Sequence, residues 1–123
     1  MVATAEGDRF TVEVRHVRGA TVLRLGGELD HDTAEPLREA LEAVSVEGGG
    51  RLLVDFTDVD FCDSTGLNVL LRGRLTAEQA GARIELVGLR RPVERMFRIT
   101  GADEIFPVYA DVAEALAGHP QHR

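Results

Sequence analysis

The chain has no lysine and a single cysteine, and none of its apolar runs approaches the length of a membrane span. Each shortage removes a class of protein. One thiol, Cys62, can form neither an internal disulfide nor a cysteine-based metal cluster, which suits a reducing compartment. Without ~20 consecutive apolar residues no transmembrane helix is expected. The opening residues MVATAEGDRF carry acid early and lack the apolar core of a signal peptide, so the expectation is a cytoplasmic protein with no membrane partner. Enzymes that form phosphoaspartate need a lysine and a metal beside paired aspartates, so Asp58-Val59-Asp60 does not make one here. The basic residues are fourteen arginines against twenty-one acids, for a formal charge of −7. A nucleic-acid backbone is held by clustered positive charge, so no direct nucleic-acid partner is expected.

A length of 123 residues predicts one domain, with a core over about residues 10–117 and a flexible tail over 118–123. Phe10 to Val17 alternates apolar and polar side chains, and Val22, Leu23 and Leu25 follow a turn at Arg18-Gly19-Ala20, which predicts an antiparallel hairpin. Leu37, Ala40, Leu41 and Val44 fall at helical spacing, with Thr33 the expected cap because it puts Pro36 in the first turn. Arg51 to Phe56 holds three consecutive apolar residues and predicts a central parallel strand. Leu67, Leu70, Leu71 and Leu75 predict a second helix ending before Gly81, with all four leucines inward. Arg83 to Val87 predicts a strand, Pro92 to Gly101 a third helix, Ile105 to Tyr109 an edge strand, and Asp111 with Glu114 the capped start of a fourth helix. This order describes an α/β fold with a mixed sheet of four to five strands that opens on a β-hairpin and carries about four helices.

Several constellations with chemical potential fail on their surroundings. Cys62-Asp63-Ser64-Thr65-Gly66 lacks the first glycine of a hydrolase elbow, and no histidine is placed as its base. Gly48-Gly49-Gly50 precedes a strand, whereas a phosphate loop follows one. Asp30-His31-Asp32 offers three metal ligands, but consecutive residues are not expected to face one ion. No catalytic residue, cofactor or metal site is expected. What remains is a pair of hydroxyls, Ser64 and Thr65, behind Asp63 at the start of the second helix. Any of the three can cap that helix. The same position also accepts a phosphate, because free amides and the helix dipole stabilise an anion there.

At these residues the chain resembles the STAS-domain anti-sigma factor antagonist family. The likeness rests on Gly27-Glu28-Leu29-Asp30 and on Phe61-Cys62-Asp63-Ser64-Thr65-Gly66-Leu67. It implies a regulator rather than an enzyme, with Ser64 phosphorylated, ahead of Thr65. It also implies a docking surface formed by Asp30, Asp63, Ser64, Thr65 and Gly66. Asn68 stands where the family often has glycine, near the same face. The implied partners are an anti-sigma factor that is itself a serine kinase and a protein serine phosphatase. Unphosphorylated, the domain binds the anti-sigma factor and frees the sigma factor; phosphorylated, it lets go. The alternative is an accessory subunit of a transporter or of a stress-sensing complex. An enzyme acting on a phosphorylated small molecule and a nucleotide-binding module are weaker readings.

Overall fold

A computed structural model describes residues 4–6, 10–17, 19–47 and 50–118. One mixed sheet runs β1 (Thr4–Glu6), β2 (Phe10–Val17), β3 (Ala20–Leu29), β4 (Gly50–Cys62), β5 (Ala82–Val87) and β6 (Val108–Tyr109), with the strands side by side in chain order. The first three are antiparallel, and β3 to β6 are parallel. Helices α1 (Ala34–Glu47), α2 (Ser64–Gln79) and α3 (Arg91–Thr100) contribute to one apolar core, and α4 (Val112–Ala117) packs in a smaller cluster with Val22, Leu53, Val87 and Tyr109. Among the described residues no helix is long and apolar enough to cross a membrane.

The hairpin, the central parallel strand and the order of the helices follow the sequence expectation. Leu52 to Phe56 are all buried, as a strand covered on both faces requires. Three points differ. A short additional strand, β1, pairs with β2 through Thr4↔Glu13 to Glu6↔Thr11; three residues are too few for a readable alternation. The expected last strand over Ile105 to Tyr109 shrinks to Val108–Tyr109, because a 3-10 turn at Ala102–Glu104 precedes it and Ile105 faces outward. Thr33 precedes α1 as expected, but its hydroxyl donates to the Glu28 carbonyl at 2.7 Å and accepts from the Asp30 amide at 2.8 Å. It ties the loop rather than the first helical turn. The tail from residue 119 lies outside the described residues.

The second helix faces the core with Gly66, Leu67, Leu70 and Ala77, and Leu75, expected inward, is 56% exposed. Small residues decide this. A Cβ on Gly73 would meet Leu41 at 2.9 Å, so the glycine brings α1 and α2 together and turns Leu75 away from the core. Phe56 and Phe97 meet edge to face at 5.8 Å, a pairing worth about 1 kcal/mol beyond the area it buries. On the other side of the sheet, Glu85 is fully buried and bound by Arg51 at 2.6 Å and Arg83 at 3.0 Å. Burial pushes its carboxyl up, but the two guanidiniums outweigh burial and hold it below the usual carboxylate range. Arg51 also donates to the Ala115 carbonyl at 2.6 Å, which fastens α4 to the sheet.

Candidate functional site

Parallel pairing of β3 with β4 brings the ends of both strands to one edge. Leu29 pairs with Cys62, and the Asp63 amide donates to the Leu29 carbonyl at 3.0 Å. Asp30 therefore leaves β3 beside the point where Ser64 leaves β4. The two loops that the sequence singled out form one surface.

Asp63 is the cap of α2. Its Oδ1 accepts from the Thr65 amide at 2.9 Å and the Gly66 amide at 3.2 Å, and its carbonyl accepts from Leu67 at 3.0 Å. The open question of which residue caps the helix is thus answered, and the answer frees the serine. Ser64 occupies the first helical position, is exposed, and its hydroxyl has no hydrogen bond among the described residues. Thr65 is half-buried. Asn68, exposed, lies one turn beyond Ser64 on the same side of the helix. Gly66 is buried, and a Cβ there would meet Leu29 at 2.6 Å and Cys62 Sγ at 3.1 Å. Its absent side chain seats the helix start on β3, so its part in the surface is to set the position of Ser64.

One expectation about this surface needs correction. The amides of Thr65 and Gly66 are not free to receive an anion, since Asp63 Oδ1 accepts from both, which leaves only the Ser64 amide without an acceptor among the described residues. Two of the three aspartates before Ser64 are paired within the fold. β4 continues to Cys62, and Asp58 pairs with Arg24 at 2.7 Å while Asp60 pairs with Arg90 at 2.9 Å. Both of those charges are answered by arginines, whereas Asp63 is engaged by backbone amides.

β4 carries an extra residue in two places, where Arg24 and Gly26 face Asp55 and Asp58, and where Gly27 and Glu28 face Val59 and Phe61. The second bulge turns Phe61 outward, 48% exposed, three residues before Ser64. Strict alternation would place it with buried Val59, so the residue pattern alone does not announce an exposed aromatic here. Beneath the surface, Cys62 is buried; loss of solvent first, and the charge of Asp63 second, push its thiol up to about 12. It is no nucleophile. Asp30, His31 and Asp32 place one ligand atom each within 4.8 Å of one another, so consecutive residues do converge here, contrary to expectation. Within the triplet His31 meets Asp32 at 3.2 Å and Asp30 accepts from the Asp32 amide at 2.9 Å, and Asp30 also accepts from the Thr33 hydroxyl at 3.2 Å.

Residues 2–109 match the family described as Mlab, STAS domain. The chain belongs to the STAS-domain anti-sigma factor antagonist family. It is similar to the anti-sigma-F factor antagonist RsfB of Mycobacterium tuberculosis, 32% identical over 90% of both chains. Among solved structures it is similar to an anti-sigma factor antagonist from Mycobacterium paratuberculosis, with 30% identity, a TM-score of 0.79, and coverage of 92% of this chain and 96% of that one. It is also similar to unphosphorylated SpoIIAA, with 25% identity, a TM-score of 0.71, and coverage of 85% and 92%. The phosphorylated form of SpoIIAA, from Bacillus, shares the fold at a TM-score of 0.66 and 24% identity, over 86% and 96% of the two chains. The named relatives are regulators.

Proposed function

We propose that this chain antagonises an anti-sigma factor of the serine-kinase type and that phosphorylation of Ser64 switches its binding off, with a protein serine phosphatase restoring it. The observation that carries the reading is the division of labour at the start of α2. Asp63 does the capping, so the Ser64 hydroxyl is exposed and unengaged and can enter a kinase without unfolding the helix. A serine that capped the helix would have to give up that bond first.

Electrostatics supply the switch. A phosphate adds about −1.5 to −2 charges beside Asp63. Because Asp63 already occupies the amides of Thr65 and Gly66, the phosphate is held less by the helix start and faces the partner. At an effective dielectric of about 20, each unit of that charge roughly 8 Å from a partner carboxylate disfavours binding by about 2 kcal/mol, more than tenfold in affinity. Phe61 and Asn68, both exposed near Ser64, supply contact area that the modification does not alter. The fold is also compatible with an accessory subunit of a transporter or stress-sensing complex, but the relatives of 30% identity or more named above are antagonists.

The test is a binding titration with the kinase-type anti-sigma factor encoded in the same genome, run with wild type, Ser64→Ala and Ser64→Asp. Wild type and Ser64→Ala should bind alike, Ser64→Asp at least about tenfold more weakly. Incubation with ATP should add one phosphate to wild type and none to Ser64→Ala. Equal binding by all three proteins, or phosphate appearing on Ser64→Ala, defeats the reading.

A further inference from the structure

The exposed face of α3 has the opposite charge to the chain as a whole. Residues 90 to 98 hold four arginines and one glutamate in a protein of net charge −7. Arg91, Arg95 and Arg98 follow one another at i, i+4 and i+7, so their side chains line one stripe about 10 Å long. They border a shallow depression together with Pro92 and Glu94. All three are exposed, and none has an ion-pair partner among the described residues, whereas Arg24, Arg38, Arg51, Arg74, Arg83 and Arg90 are paired. Beside the stripe stands Ile99, 73% exposed, more open than the other large apolar side chains on the described surface.

Helix stability accounts for only part of this arrangement: Arg98 in the last turn suits the dipole, but the arginines at the start do not. Arg90 occupies the cap of α3 and makes no side-chain capping bond, and Arg91 follows it. Both place positive charge at the positive end of the helix dipole, where acids and small polar residues are preferred. We infer that this face docks an acidic, amphipathic segment of a protein partner. Its carboxylates meet Arg91, Arg95 and Arg98, and one apolar side chain packs on Ile99. Charge complementarity selects the occupant. A duplex or a lipid surface would extend past the stripe onto an acidic protein, including Glu94, Asp103 and Glu104 next to it, while a short peptide needs no more than the stripe. An exposed isoleucine among arginines adds nothing to phosphate binding and does add to peptide binding.

The probe is a synthetic twelve-residue peptide with glutamates at i, i+4 and i+7 and a leucine beside them, compared with a scrambled peptide of the same composition. Titration followed by amide chemical shifts should saturate, with the largest shifts confined to Arg91 through Ile99, and should weaken as salt is raised. Arg95→Glu combined with Arg98→Glu, and separately Ile99→Ser, should each weaken binding on the order of tenfold. Should the double reversal disturb the fold, Arg95→Ala and Ile99→Ser carry the same comparison. Absence of saturation, or equal affinity for the scrambled peptide, overturns the proposal. So does tighter binding of a short DNA duplex or of anionic phospholipid vesicles, or self-association that the arginine variants abolish.

Discussion

The second and third helices begin at the same edge of the sheet, each just beyond a parallel strand, and their starts are built in opposite ways. At α2 an aspartate caps the helix, a buried glycine lets it sit against Leu29, and the first helical residue is left with a spare hydroxyl. At α3 an arginine holds the cap position without a side-chain bond, and a second arginine follows. The first start is optimised for stability and so can carry a modifiable group without depending on it. The second gives up capping and gains a patch of positive charge. Neighbouring ends of one sheet thus serve as a stable support and as a charged surface.

The sharpest check on the sealed start of α2 is chemical. With the Cys62 thiol pushed up to about 12, its thiolate fraction near pH 8 should be about a thousandfold below that of an ordinary thiol, and alkylation of the native protein should be slower by that factor than in urea. A raised folded value means that the neutral thiol favours the fold below the unfolded pKa of about 8.5. That contribution should disappear as pH rises from there toward 12. Fast native labelling would mean that the helix start opens.

Gly66→Ala tests the seating directly. Alanine favours a helix by about 1 kcal/mol over glycine, yet a Cβ at 2.6 Å from Leu29 should reverse the sign and give a net loss of about 1–3 kcal/mol in urea unfolding. Asp63→Ala should lose about 1 kcal/mol, while Ser64→Ala stays within about 0.5 kcal/mol of wild type. The reverse ranking would make serine the cap. Arg90→Ser gives α3 the kind of start that α2 has. A capping gain of about 1 kcal/mol, less the exposed pair with Asp60, should raise stability by a few tenths, read as a small increase in Tm.

Much of the fold was legible because the pattern was dense. Phe10 to Val17 alternates and forms β2; Leu52 to Val54 has no polar interruption and lies centrally; Leu37 and Leu41 keep helical spacing and are buried. The misreadings have physical causes. Leu75 fits the leucine stripe of α2, but Gly66, Gly73 and Ala77 set that helix's inner face, and glycine carries no hydrophobic signal. The central strand, expected over Arg51 to Phe56, continues to Cys62, and its bulged end hides the pattern because Asp58 and Asp60 are exposed and ion-paired. At the candidate site, Ser64 was singled out by motif. That Asp63 would be the cap was not decidable, since aspartate, serine and threonine all serve and only the backbone path selects one. The basic face of α3 was visible as letters, but its lack of ion-pair partners was not, because partners come from other elements.

The order of strands in the sheet is the order of strands in the chain. During synthesis each new strand can therefore join the edge laid down just before it, with no gap left open for a later segment to fill. Growth in this direction pairs only consecutive strands, although each parallel pairing spans an intervening helix. The exposed side is always the newest one: β4 emerges long and apolar, and from its release until β5 arrives it presents an unpaired edge to other nascent chains. The interval lasts as long as the ribosome takes to make α2 and the turn after it.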